Sequence, residues 1–450
     1  MQLREQTTRI QDRFPTVQID DCVSGGRAFC DMQIHCVIKF DGKVDDSRLA
    51  KAMRLSVDAE PILGCCLVEG FWQQSWRRRS DIDATAMLTL LPRNVEEDVL
   101  RYLAEPVDPN SAPLVQGRIF RGEADTLVVK VSHIASDAAG VIEYCELLGQ
   151  IYTKLGEDPA WRPTVNLSAS RSIHQVTDRL SINERLKLAG SIIRDYIDAL
   201  FPPKNWAFPV RRGAPDKRKF IVRHISGSPF EAAKGYAKAK GYSMNDVLVA
   251  AFYRALYTII EPPAGTPLRL GTTVNLRRYL PDCRGEAICN LAGMFLLRLH
   301  SDNIGPDLEH TIHKVHAAMN RRKRGGIGLE DKRYFLFDLK FLPFRIARTL
   351  NRLHQIFKMG IGPKSVCPWV TNMGQIGQSR LRFDKLAVSQ AYLTAPVAYF
   401  PLFIVGISGF ARSITISCGF CQTVADRDSV ERLFQLVAQE LNSLSLAPPL

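Results

Sequence analysis

Apolar positions recur with two periods along nearly all of the chain. Residues 32–40 (MQIHCVIKF) read as a strand, after which Val44, Leu49, Met53 and Val57 mark one face of a helix that opens near Asp45 or Asp46. Further strands are expected at 64–77 and 114–122. At 126–133 (TLVVKVSH) apolar and polar positions alternate before a short loop, and a helix over 141–155 follows with Ile142, Cys145, Leu148 and either Ile151 or Tyr152 buried. Between 156 and 219 the pattern gives way to a Pro- and Ser-rich stretch, a long helix over 178–200 and a segment dense in Pro and base. It then resumes with a strand at 220–225, two helices of which the second is capped by Ser243, a strand at 268–280, a helix at 307–319 and a closing helix at 428–444. Helices and strands alternating in two comparable halves predict an α/β or α+β fold. The units run over 1–165 and 220–450, with a crossover carrying the long helix at 166–219.

One stretch needs a separate decision. Residues 386–411 carry no charge and are long enough to cross a bilayer, but Pro396, Pro401, Gly406 and Gly409 interrupt them and β-branched and aromatic residues are frequent. Two buried strands are the better expectation, with GISG (406–409) near a hairpin turn and SITISC (413–418) returning. Eleven cysteines, scattered singly or inside apolar segments such as LGCCLV, fit reduced buried thiols of a cytoplasmic protein better than a disulfide framework. The N-terminal residues alternate acid with base and lack a secretory signal's apolar run.

Charge is the unusual part of the composition. Fifty-nine Lys+Arg against 46 Asp+Glu leave +13 and a pI near 9.3, which points to an anionic partner. Residues 321–358 hold 11 Lys+Arg and 3 Asp+Glu, so most of the excess sits there. After Pro343, Ile346, Leu350, Leu353 and Phe357 form an apolar stripe beside a basic one of Arg345, Arg348 and Arg352. Such a helix suits an anionic membrane surface, a lipophilic channel, an acidic carrier protein, or plain packing onto the second half. No zinc finger, RNP-like strand or helix-turn-helix signature supports nucleic acid.

The sharpest candidate chemistry is VSHIASDAAG, which places His133, Asp137 and Gly140 where a strand ends and a helix begins. A histidine held there can face a cleft and accept a proton from a hydroxyl or amine, while Asp137 can cap the helix or pair with an arginine. A half-buried histidine followed by an ordinary cap satisfies the same spacing. CGFC (418–421) has redox spacing but ends a β-like run, so buried thiols are expected there. His310, His313 and His316 share one helical arc without an accompanying ligand cluster, so no metal site is expected.

SHIASDAAG after an apolar strand resembles the HHxxxDG signature of the chloramphenicol acetyltransferase-like superfamily, which includes condensation domains of peptide synthetases and alcohol and lipid acyltransferases. Residues 38–70, TTVNLRRYLP (272–281), NLAGMF (290–295) and TNMGQIG (371–377) are similar to further family segments in the same order. Two positions depart from the pattern: Ser132 stands where many members have the first histidine, and Ala138 replaces the glycine after the aspartate. Tight packing beside Asp137 would make that methyl group shift the loop.

The resemblance implies two facing subdomains with an active channel between them, and transfer of an acyl group from a thioester without a covalent acyl-enzyme. The donor would be acyl-CoA or a carrier protein's phosphopantetheine, with no permanently bound cofactor. His133 would be the general base, and Asp137, paired with Arg277, and Gly140 would be structural. Thr371, Asn372, Gly374 and Asn290 would be candidates for oxyanion or substrate contacts. A monomeric O-acyltransferase with a small or lipophilic alcohol acceptor is favoured, cytoplasmic or peripheral at a membrane. An acyl carrier protein or a membrane surface is a candidate partner of 321–358. Amide formation on an amine and a non-catalytic thioester-binding or scaffolding relative are the alternatives.

Overall fold

A computed structural model of the chain describes residues 10–108, 110–186, 188, 190, 205–329, 343–346, 348–350, 353 and 366–444. Most of the helix expected over 178–200 lies outside the described residues, as do Arg352 and Phe357. Among the described residues the strands form three sheets. The first half builds a five-stranded sheet in the order β12 (Val388–Thr394), β2 (Gln33–Phe40), β7 (Thr126–Ser132), β6 (Val115–Phe120) and β5 (Leu88–Leu91). The second half builds six strands in the order β10 (Ala292–His300), β9 (Pro267–Asn275), β11 (Trp369–Ile376), β13 (Ile404–Phe410), β14 (Ser413–Cys421) and β8 (Arg218–Ser226). A small sheet joins β1 (Arg13–Pro15), β4 (Ser75–Arg78) and β3 (Cys65–Val68).

The helices start where short polar side chains can take up their first amides. Asp45 caps Asp46–Ala59, Ser243 forms a capping box with Asp246 at Met244–Ile260, and Asp307 and Asp426 cap Leu308–Arg324 and Arg427–Ser443. Asp137 caps Ala138–Glu157, which therefore opens a turn's length before the expected start at 141. The apolar stripes pack as one core around β2 and the helices Asp46–Ala59 and Ala138–Glu157, and as another around Met244–Ile260 and the second sheet.

Three departures from the sequence pattern have physical causes. The strand expected to run from 268 to 280 ends at Asn275, whose Oδ1 accepts the Arg277 amide at 3.0 Å and opens a short 3-10 turn, Leu276–Tyr279, that carries Arg277 inward. The alternation in β7 does not leave a solvated face: all seven residues are buried, and the face carrying Val128 and Lys130 is covered by Val99 and Tyr102 of the first half together with Phe220 and Val424 of the second. Lys130 there donates to the Glu105 carbonyl at 3.0 Å and lies 4.2 Å over the Tyr102 ring, and burial lowers its pKa to about 8. Finally, the uncharged stretch supplies strands to two sheets. β12 crosses into the first half and pairs antiparallel with β2, so segment 220–450 does not stay within one sheet. GISG lies inside β13, and the turn to β14 is made after it by Ala411, at φ +49°, and Arg412.

Among the described residues, no helix is long and apolar enough to cross a membrane. None of the eleven cysteines forms a disulfide. Cys418 and Cys421 are buried on β14, and burial pushes the Cys418 thiol well up and the Cys421 thiol up to about 11, the opposite of redox activation. On Leu308–Arg324, His316 Nδ1 lies 3.0 Å from Asp246 Oδ2 while Asn320 donates to Nε2 at 2.8 Å, so both ring nitrogens are engaged. No group of three or more His, Cys, Asp or Glu among the described residues could hold a metal ion.

Candidate active site

Between the two halves lies a cleft of about 200 Å³. One wall comes from β2, the loop after β7 and Ala138–Glu157; the other comes from β9, the turn that follows it, and β11. His133, Asp137, Arg277, Thr371, Asn372 and Gly374 all border it, although they come from three distant parts of the sequence.

The loop carrying His133 is fixed through every one of its carbonyl groups. Asn290 donates to the carbonyls of His133 and Ile134, both at 3.0 Å, and Arg171 donates to that of Ala135 at 3.0 Å. The Ser136 carbonyl lies 3.0 Å from His133 Nδ1. A carbonyl can only accept, so Nδ1 carries a proton, and in the neutral ring the lone pair is on Nε2. The His133 amide is also tied, to the Met32 carbonyl at 2.7 Å. Each carbonyl of the loop thus has a partner that holds its place, and the His133 ring borders the cleft.

Asp137 sits beneath this loop and is almost wholly buried. Its Oδ1 accepts from the Gly140 amide at 2.8 Å and from Arg277 Nη1 at 3.0 Å; its Oδ2 accepts from Arg277 Nη1 at 2.9 Å and from the Leu291 amide at 2.6 Å. Arg277 is completely buried, donates through Nη2 to the Cys289 carbonyl at 2.9 Å and turns Nε toward Glu143 at 3.1 Å. Burial works against the guanidinium, but the carboxylates of Asp137 and Glu143 outweigh it and hold the proton more tightly than usual. Gly140 packs so closely that a Cβ would run into Ser136 Oγ and the Cys289 carbonyl. The tight position is thus Gly140, whereas Ala138 is half-buried and borders open space in the cleft. Ser132 projects from the other face of β7, opposite Gln33, and is not among the lining residues.

The facing wall holds a hydroxyl pair and a strand bulge. Thr371 and Thr273 share a hydroxyl-hydroxyl hydrogen bond of 2.6 Å, and both border the cleft. In such a pair one hydroxyl donates to the other, and the second hydrogen remains to serve a ligand. The Asn372 amide donates to Asn245 at 2.9 Å, and its oxygen accepts the Gly374 amide at 3.0 Å. Gly374 lies at φ +95° inside a bulge where β11 slips against β13, which accounts for glycine at that position.

At the rim, Glu146 is buried, with Arg284 Nη2 2.7 Å from Oε2 and Arg380 Nε 3.1 Å from Oε1. Burial is the largest influence on Glu146 and raises its pKa despite the two arginines.

Asn290, expected as a donor to a ligand, does not border the cleft: both protons of its amide are used on the loop carbonyls. It positions His133 instead. Arg171 escaped the sequence reading because its partners, Asp20, Ala135 and Ile288, are brought together only by folding.

No protein-family model matches the sequence, and no curated protein does. Solved structures match over nearly the whole chain. The trichothecene 15-O-acetyltransferase TRI3 from Fusarium sporotrichioides is similar with a TM-score of 0.73 at 10% identity, over 97% of this chain and 95% of that one. The first condensation domain of the CDA synthetase gives 0.69 at 15%, over 97% and 96%. Polyketide synthase associated protein 5 from Mycobacterium tuberculosis gives 0.65 at 14%, over 96% and 98%. The chain has the chloramphenicol acetyltransferase-like fold of condensation domains and of this acetyltransferase. That fold carries more than one reaction, so the reaction must be argued from the cleft.

Proposed function

We propose that the protein is an acyltransferase that moves an acyl group from a thioester, on coenzyme A or a carrier protein's phosphopantetheine, to a hydroxyl group. The observation that carries the proposal is the His133 ring. It borders the cleft on a fixed loop, with Nδ1 engaged by the Ser136 carbonyl and Nε2 able to accept a proton. Nε2 takes the acceptor's proton as its oxygen attacks the thioester carbonyl, a tetrahedral oxyanion forms, the C–S bond breaks, and the proton passes to the departing thiolate. No acyl group is held by the protein. Asp137 and Arg277 keep the loop and the facing turn in register, and the hydroxyl pair Thr273/Thr371 is the candidate donor to the oxyanion. The apolar part of the cleft, with Ile34, Ile142, Val274, Met373 and Ala395, suits a hydrocarbon portion of either substrate.

Purified protein given acyl-CoA thioesters and a panel of alcohols and amines is expected to release free thiol, with alcohols preferred. His133→Ala is expected to lower kcat/KM by about 10²–10⁴-fold. Undiminished turnover in that variant would remove His133 as the base. Donor binding without turnover across the panel would favour a non-catalytic thioester-binding protein, and a preference for amines would replace ester by amide formation.

A further inference from the structure

Nine large apolar side chains are exposed among the described residues, and five of them lie on two adjoining segments. The loop after β3 carries Phe71 and Trp72, 50% and 68% exposed, their rings edge to face with centroids 5.7 Å apart. Phe344, Arg345 and Arg348 are fastened to this loop. The amides of Phe344 and Arg345 donate to the carbonyls of Trp72 at 2.9 Å and Phe71 at 3.2 Å, and Arg348 Nη1 lies 2.9 Å from both oxygens of Glu69. Phe344 is buried, and Arg348, four residues on, lies on the same side of the helix. Ile346, Leu350 and Leu353, spaced by four and three, form the opposite face and are exposed.

Apolar side chains left in water cost free energy, and a concentration of them held by hydrogen bonds and an ion pair is a surface built to meet something. An exposed cation, Arg345, lies in the same turn, and the chain as a whole carries +13. Arg27 and Arg348 both turn to Glu69, so the patch itself presents mainly aromatic and aliphatic groups rather than a set of charge contacts. Trp, Phe and Leu beside arginine are the composition of a segment that enters the headgroup boundary of a bilayer. We propose that Phe71, Trp72, Ile346, Leu350 and Leu353 form a docking surface for an anionic phospholipid membrane. The proposal stands whether or not the cleft transfers acyl groups, because its test reads binding alone.

The full chain is floated with vesicles of phosphatidylcholine containing about one-third phosphatidylglycerol, and with vesicles of phosphatidylcholine alone. Partition into the anionic vesicles is expected, weaker into the neutral ones. Combined Trp72→Ser and Leu350→Ser should lower it at least about tenfold, and Arg345→Gln about fivefold, on anionic vesicles only. Combined Ile182→Ser and Leu186→Ser, at exposed apolar residues elsewhere, should leave it unchanged; circular dichroism checks that every variant is folded. Absence of partition, or equal partition of the Trp72/Leu350 variant, overturns the proposal. Patch-dependent binding to an acidic acyl carrier protein without binding to vesicles overturns it as well and assigns the surface to a protein.

Discussion

Two buried aspartates join distant segments of the chain, and they do so on different terms. Asp137, at the cleft, has both oxygens engaged, by a guanidinium and two backbone amides. Asp31, next to β2, also accepts two amides, of Gln33 at 3.3 Å and Val397 at 2.9 Å, but both go to Oδ1. Oδ2 is buried without a hydrogen-bond partner. Burial pushes the Asp31 carboxyl up to about 6, and Arg218 and Lys130 only partly offset it. Burial of both thus yields two different objects: an ion pair that locks two halves together, and an acid that titrates near neutrality. The difference is the inventory of partners, which the word "buried" conceals.

The comparison breaks first at Asp137. Asp137→Ala strands a completely buried guanidinium, and a loss of about 3–5 kcal/mol in urea unfolding is expected. A loss below about 1 kcal/mol would mean that Glu143 and the Cys289 carbonyl suffice to hold Arg277. At Asp31 the sign reverses. Its folded pKa lies above the usual 3.8, so the folded chain binds the proton more tightly and the associated stability is full below about pH 4 and lost as pH rises through 6. Asp31→Asn keeps an acceptor for the two amides and removes the charge. Its Tm should therefore lack the wild type's decline between pH 4 and 6, with a gain at pH 7 of at most about 3 kcal/mol. An unchanged slope would place the titration elsewhere. The smallest change sharpens what the locked side is for. Asn290→Ala leaves two loop carbonyls unsatisfied, costing about 1–3 kcal/mol. Because it frees the His133 loop, kcat should fall more than KM rises; equal effects would reduce Asn290 to a stability role.

Local chemistry was legible in the sequence and long-range pairing was not. Asp45 or Asp46, Ser243 and the strand-to-helix step at His133 could be read because a cap or a change of period depends on neighbours within a few residues. The resemblance of TTVNLRRYLP to a known segment pointed to Arg277, but nothing in that segment tells that the strand stops at Asn275. Alternation at 126–133 marks two faces of β7 without saying what covers either, and the burial of Lys130 against Tyr102 and Glu105 is set by folding. Ala138 and Gly140 exchanged significance for the same reason: which of them is crowded depends on Ser136 and Cys289, and Cys289 is distant in sequence. Arg171 had no local signal, since all three of its partners are remote.

The strand exchanged between the halves also sets a timetable for synthesis. His35 on β2 meets Thr394 on β12 across 359 residues, so the first sheet leaves the ribosome with a bare edge. At roughly 5–20 residues per second that edge waits roughly 20 to 70 s for its partner. During that interval β2 presents unpaired backbone groups to any passing extended chain. A gene cut after residue 219 would make the interval permanent, and its product would need a chaperone, or the missing strand supplied as a peptide, to stay in solution.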